Sequence, residues 1–317
     1  MEVVLHIGVE KTGTTAIQNF LYLNADALSS QSTALLECAG KPNNRLLPAW
    51  FRDDDRSDDM LRSKGVFDAD GKRRFFEGWP ETLGVEIAAL SRSHERLIIT
   101  SEHFHSRLPT ERETRRVAAF CSAYFERVRV IVYLRRQDKL MESLYSTALR
   151  LGHDVGRRRF ARTAIKNKDY FDFHALLRRW ESAFGRDALE VAVYDPNWLH
   201  EGSVVSDFAR RAGIDLAMTS PISGRANKAL GRGGEAIYRF INALTLKDNP
   251  SVAEDQQAVR RRLGIALRRR ARSRLSRILY AGPPLRFAPR LKDEVLAAYA
   301  DSNRRLSEEY FDSQQIW

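Results

Sequence analysis

The sequence predicts an α/β protein, a three-layer α/β/α arrangement on a central parallel sheet. Two observations carry that expectation. Short apolar runs rich in β-branched residues recur at 3–7, 97–100, 128–134 and 189–194, and segments of helical periodicity alternate with them. The runs are nearly continuous, as expected of strands buried on both faces.

The first run, VVLHI, leads through a glycine-containing turn into a helix expected over 14–28. There Ile17, Phe20, Leu21, Asn24 and Leu28 recur at three- and four-residue steps. Residues 41–78 are rich in Asp, Arg, Gly and Asn with little periodicity, so they read as a surface excursion, a lid or acceptor-binding insertion. A helix is expected over 85–93. The second strand, 97–100, ends in Ser101-Glu102. A helix over 111–126 precedes the third strand, VRVIVYL, and RRQDKLMESLYSTAL follows as a helix with Leu140, Leu144 and Leu149 on one side. A further helix is expected over 170–184, then the fourth strand.

With 317 residues, 43% of them hydrophobic and 29% charged, the chain can bury one large core, and 1–317 reads as a single domain. No run of about 18 apolar residues suggests a membrane span, and the first residues lack a basic region followed by a sustained apolar one. The expected location is cytoplasmic, with peripheral attachment at the inner membrane surface as an option. Cys38 and Cys121 stand alone, which disfavours a disulfide or zinc framework. His103 and His105 would share one face of an extended segment, but no third ligand stands at metal-site spacing, so no metal is expected.

The net charge of +11 is uneven. Between Asp255 and Asp293 there is no acidic residue and there are twelve basic ones, Arg268, Arg269 and Arg270 among them. The stretch 256–292 is expected to be helical, with Val259, Leu263, Leu267, Leu275 and Leu279 set against arginine clusters. It suits a solvated basic face, or a dock for an anionic glycan or membrane surface. Nucleic acid is disfavoured, since no recognised nucleic-acid module accompanies the charge.

The turn after the first strand carries the chemistry. In IGVEKTGTT, Gly8 and Gly13 have the spacing of a phosphate loop, and a strand-turn-helix of this kind directs backbone N–H groups at an anion. Lys11 adds a positive charge, and Thr14 and Thr15 add hydroxyl donors. A nucleoside triphosphatase needs Lys where Thr14 stands. The VRVIVYL strand also ends in Arg135-Arg136, where such an enzyme would have a metal-binding Asp. The two features together point to two separate anionic groups.

IGVEKTGTTAIQ resembles the 5′-phosphosulfate loop of sulfotransferases that use 3′-phosphoadenosine 5′-phosphosulfate (PAPS). VIVYLRRQDKLMESLYS is similar to their 3′-phosphate motif, with Arg135 at the strand end and Ser143 eight residues on. YFDFHALLRRWESAFGRDALEVAVYD and the terminal SNRRLSEEYF resemble bacterial carbohydrate-type members, so the likeness covers most of the chain.

The resemblance implies a P-loop-like fold and transfer of the sulfuryl group to a hydroxyl of a carbohydrate or glycolipid by in-line displacement. PAPS would be the donor and PAP the product, with no metal required. It implies that Lys11, Thr12, Gly13, Thr14, Thr15 and Ala16 hold the 5′-phosphate, with Lys11 also stabilising the leaving charge, and that Arg135 and Ser143 hold the 3′-phosphate. In SGRANKAL, Arg225 and Asn227 fall where related sequences carry a turn that closes over the nucleotide; a helix cap at Asn227 fits equally well.

The acceptor needs a general base, and RLIITSEHFHSRL offers Glu102 first, with His103 and His105 as rivals, at the carboxyl end of a strand where ligands collect. The alternative reading is a non-catalytic nucleotide- or anion-binding protein of the same fold with a basic surface. A kinase-like enzyme would need the missing loop lysine and metal ligand.

Overall fold

The structure is a computed structural model. It describes residues 1–56, 58–153, 155–221, 230–245 and 254–317, with side chains in the last segment from 262 onward. Five strands, β1 (Glu2–His6), β2 (Thr33–Leu35), β3 (Arg96–Thr100), β4 (Arg127–Leu134) and β5 (Leu189–Val193), form one sheet in the order β2-β3-β1-β4-β5. Every pairing is parallel. Val3, Val4, Leu5, Val130, Ile131 and Val132 are fully or almost fully buried, which is why these runs read as continuously apolar.

The helices follow in chain order. Between β1 and β2 come α1 (Thr14–Leu23) and α2 (Ala25–Ser29). The helix expected over 14–28 therefore breaks, and it breaks at buried Asn24. The Asn24 amide donates to Phe20 O (3.0 Å) and Ser220 O (3.2 Å) and accepts from Ser220 N (2.6 Å), so its side chain competes with helix continuation.

Before β3 lie α3 (Leu46–Phe51), α4 (Asp59–Ser63), α5 (Ala69–Phe75) and α6 (Trp79–Leu90). The excursion 41–78 thus holds three short helices around a small core of its own, Ala49, Leu61, Val66 and Phe76, with Trp50 and Trp79 packed on it. Asp58 and Asp68 cap α4 and α5 through their side chains.

Between β3 and β4 stand α7 (His103–Arg107) and α8 (Glu111–Tyr124), the latter opened by a capping box of Thr110 and Glu113. Between β4 and β5 come α9 (Gln137–Leu151), α10 (Arg157–Lys166), α11 (Lys168–Phe171) and α12 (Phe173–Phe184). The helix expected over 170–184 is divided at Asp172, whose carboxylate accepts from Ala175 N (3.0 Å) as an N-cap. After β5 the chain forms α13 (Val204–Ala212), α14 (Arg232–Thr245), α15 (Glu254–Arg274), α16 (Ser276–Leu279), α17 (Pro289–Ala298) and α18 (Ala300–Tyr310).

Two compact units result. The first comprises 1–135, 172–224 and 302–317; the second comprises 136–171 and 225–301. The first holds the whole sheet in three layers. On one face Ile17, Phe20 and Leu21 of α1 and Phe208, Ala209 and Ala212 of α13 pack over Val4, Ile98, Ile131 and Tyr133. On the other, α8 and α12 pack together against β4 and β5. The second unit is helical. Two of its buried carboxylates are paired: Tyr145 Oη (3.1 Å) and Arg157 Nε (2.9 Å) donate to Glu235, and Arg286 Nη1 (2.8 Å) and Phe287 N (3.0 Å) donate to Glu142.

One residue of the excursion fixes it to the sheet. Asn44, fully buried and at φ 41°, donates to Leu36 O (2.8 Å) and accepts from Thr100 N (2.9 Å) at the end of β3. Replacing it with Ala removes both buried bonds and places a side chain less tolerant of positive φ there. Asn44→Ala is expected to lower stability by about 2–4 kcal/mol, read from urea midpoints; an unchanged midpoint would show that the clamp is not formed.

Candidate active site

The chain switches direction across β1. It leaves β1 toward β2 and β3 on one side, and leaves β4 toward β5 on the other. The crevice at the carboxyl ends of β1 and β4 is therefore the topological switch point where an open α/β sheet accepts a ligand.

The loop 8–13 occupies that crevice. Its start stays attached to the sheet, since Val9 N donates to Tyr133 O (2.9 Å) and Tyr133 N donates to Gly8 O (2.8 Å). Lys11 and Gly13 both take positive φ, 65° and 82°, which turns the backbone sharply before α1. The buried Thr12 hydroxyl donates to Val9 O (2.6 Å) and braces the loop from within. Gly13 has no alternative: a Cβ there would lie 2.7 Å from Val204 Cγ1 and 3.2 Å from the Tyr194 ring.

No side chain caps the start of α1 and its first turn carries no acidic residue, so its positive end faces the crevice. Thr14 is nearly buried and Thr15 is exposed. The Ala16 amide donates to Gly13 O (2.8 Å), so within the loop it serves the turn and not an external anion.

Residues beyond β4 and β5 close one side. Arg135 follows β4, and its Nη1 donates to Lys11 O (2.6 Å). Its guanidinium lies 5.4 Å from the centre of the Tyr194 ring, and Tyr194 is the first residue after β5. The other side belongs to the residues beyond β3. Ser101 N donates to His6 O (2.9 Å), which brings Glu102 against the loop, and a Cβ on Gly8 would stand 3.1 Å from Glu102 Cα.

Gln18 of α1 donates through Nε2 to one Glu102 oxygen (2.8 Å), while the other oxygen lies 4.0 Å from His103 Nε2. His103 Nδ1 is 4.0 Å from Glu10. Burial, then the charge of Arg45, hold His103 below its ordinary pKa range against the opposing pull of Glu102 and Glu10. At neutral pH His103 is an uncharged imidazole. His105 is buried (1% exposed) and belongs to the packing of α7.

The structure thus brings together Lys11, Thr12, Gly13, Thr14, Arg135, Glu102 and His103 in the first unit. Ser143 stands in the second, half-buried on α9. One turn before it is Lys139, held below its ordinary range by burial, then by the charges of Arg286 and Lys292. Arg286 and Lys292 are themselves paired with Glu142 (2.8 Å) and Asp138 (3.3 Å) of the same helix. Arg136, beside Arg135 in the sequence, is bound to Asp138 by its own Nε (2.7 Å). Arg225 and Asn227 lie outside the described residues. Tyr194, Gln18 and Lys139 were not expected. Tyr194 had a signal, the same position after its strand that Arg135 holds after β4. Gln18 had a weaker one, as an amide among apolar residues on the buried face of α1.

Among the described residues no group of three or more His, Cys, Asp or Glu stands together as a metal site, and no helix is long and apolar enough to cross a membrane. No protein-family model matches the chain. An uncharacterized protein of Archaeoglobus fulgidus is 32% identical over 114 residues, which is 36% of this chain and 30% of that protein. The chain thus spans less than a third of that relative's length. The crystal structure of a sulfotransferase from Alicyclobacillus acidocaldarius is similar with a TM-score of 0.46 and 13% identity, over 96% of this chain and 94% of that one.

Proposed function

We propose that this protein is a sulfotransferase that moves a sulfuryl group from PAPS to an acceptor hydroxyl of a carbohydrate or glycolipid. The observation that supports it most is the arrangement around the loop. A glycine-turned anion cradle has an arginine bound across one side and a buried-edge carboxylate, aligned by Gln18, against the other. That is what in-line displacement needs: donors for a leaving anion and a base for an entering hydroxyl.

The residues fit the donor. The two glycines let the loop pack directly against Glu102, Val204 and Tyr194, where a Cβ would be crowded, and the uncapped α1 start offers its first amides. When bound, PAPS would supply an activated sulfuryl group with a phosphate leaving group. The amides of Gly13, Thr14 and Thr15 hold the 5′-phosphate in this reading, with the Thr15 hydroxyl beside them. Lys11 neutralises charge that develops at the leaving oxygen. Arg135 fixes the loop through Lys11 O and, with Ser143, is assigned to the 3′-phosphate by their spacing in the sequence. Glu102 takes the proton from the acceptor hydroxyl, and Gln18 directs its carboxylate. The excursion 41–78, clamped at the β3 end by Asn44, is the element that reads the acceptor.

Calorimetric titration of PAP in the presence of EDTA tests the assignment. Wild-type protein is expected to bind, and Lys11→Ala and Arg135→Ala are each expected to bind about ten- to a hundredfold more weakly. Equal affinity in both variants would remove the loop from the donor site. Incubation of labelled PAPS with candidate glycans, glycolipids and small alcohols then separates an enzyme from a binding protein. PAP binding with no transfer to any of them would favour the latter.

A further inference from the structure

We infer that the helical hairpin of α14 and α15 is a docking face for an anionic lipid bilayer. The sequence left that basic stretch open between a solvated face, a polyanion and a membrane; the side chains of the hairpin favour the membrane.

The two helices lie antiparallel. Thr245 meets Gly264, where a Cβ would stand 2.7 Å from Thr245 Oγ1, and Arg268 Nη1 donates to Asn242 Oδ1 (3.2 Å). On α14 the solvent side carries Gly233, Ile237, Phe240 and Leu244 at steps of four, three and four, which form a single stripe. Phe240 and Leu244 are 67% and 58% exposed. Ile278 of α16 prolongs the stripe, since its Cγ2 lies 3.8 Å from the position a Gly233 Cβ would take, and it too is 52% exposed.

Helical spacing places Leu263, Leu267, Arg270 and Arg274 together on one flank of α15, with Leu263 52% exposed. Arg268 points from the opposite flank toward Asn242 and Gly152, so the flank with Leu263 and Arg270 is the one that borders the α14 stripe. The result is an exposed apolar strip edged by arginines.

The chemistry selects the occupant. A soluble polyanion or a nucleic acid would pair with the arginines and gain nothing from Phe240, Leu244 and Ile278. A second copy meeting this face through a twofold axis would set arginine against arginine, with no acidic residue between Asp255 and Asp293 to relieve it. An anionic bilayer satisfies both halves: acyl chains receive the apolar strip and headgroup phosphates receive the cations.

Co-sedimentation of the full chain with vesicles tests this without reference to catalysis. The protein is expected to sediment with phosphatidylglycerol–phosphatidylcholine vesicles, to stay in solution with pure phosphatidylcholine, and to be released by salt. Phe240→Ser with Leu244→Ser, both exposed and so harmless to folding, should weaken binding by about tenfold or more. Arg270→Gln with Arg274→Gln should weaken it by about fivefold per arginine. Three results would overturn the inference: no preference for anionic vesicles, unchanged binding in the Phe240–Leu244 variant, which would leave a simple polyanion face, or a wild-type dimer in sedimentation velocity that the same variant makes monomeric.

Discussion

Glu102→Gln is expected to lower turnover by about two to four orders of magnitude while PAP binding stays within about twofold. The geometry gives the reason. Glu102 sits at the end of β3 with its backbone against Gly8, and one carboxylate oxygen is fixed by Gln18 at 2.8 Å. Its second oxygen faces His103 at 4.0 Å and keeps the capacity to accept a proton from a hydroxyl. Gln retains the shape and the bond to Gln18 but cannot act as a base, so the loss should fall on kcat and not on nucleotide affinity. Gln18→Ala, which leaves the base present but undirected, is expected to cost about tenfold. If Glu102→Gln turns over near the wild-type rate and His103→Asn does not, the base is His103, which burial already keeps neutral.

The parts legible in the sequence are those that chain periodicity and local chemistry determine. β1, β3, β4 and β5 announced themselves as apolar runs, and the loop 8–13 and the strand-end positions of Glu102 and Arg135 followed from them. β2 did not, because a three-residue edge strand is too short to show a period and borrows its identity from β3. The excursion 41–78 looked irregular because its helices are short and capped individually, and its core joins Leu46 and Trp50 to residues as distant as Trp79. The bond from Gln18 to Glu102 spans 84 residues of sequence, so no local pattern could announce it. The family spacing singled out Arg135 over its neighbour Arg136, but the partner of neither could be read from the sequence. The fold divides them, one to the loop and the other to Asp138, because successive residues leave a strand in opposite directions.

The same reasoning predicts how the site fails in acid. His6, the last residue of β1, is fully buried against Tyr133 and Phe208, with Nδ1 2.9 Å from Thr100 Oγ1. Burial lowers its pKa to about 3. An unfolded histidine titrates near 6.5, so between about pH 6.5 and pH 3 the unfolded chain binds a proton that the folded chain refuses. Stability attributable to His6 is therefore intact above pH 6.5, falls by about 1.4 kcal/mol per pH unit as pH drops, and is down by about 5 kcal/mol near pH 3. His103, also lowered, acts with the same sign, and buried carboxylates such as Asp207, whose pKa is lowered by Arg211 and Tyr133 against the cost of burial, add their losses only at lower pH. The range from pH 6 to pH 5 thus isolates the histidines. In urea titrations across it, His6→Asn should lose about 1.4 kcal/mol per pH unit of slope whatever its absolute stability. An undiminished slope would mean that His6 is charged in the folded protein. The position matters to the site because His6 O accepts from Ser101 N (2.9 Å), and that bond sets the distance between the loop after β1 and Glu102 after β3. Because the folded chain refuses this proton down to about pH 3, acid acts on these strand ends by unfolding the chain, so the loss of activity attributable to His6 should track the folded fraction and not precede it.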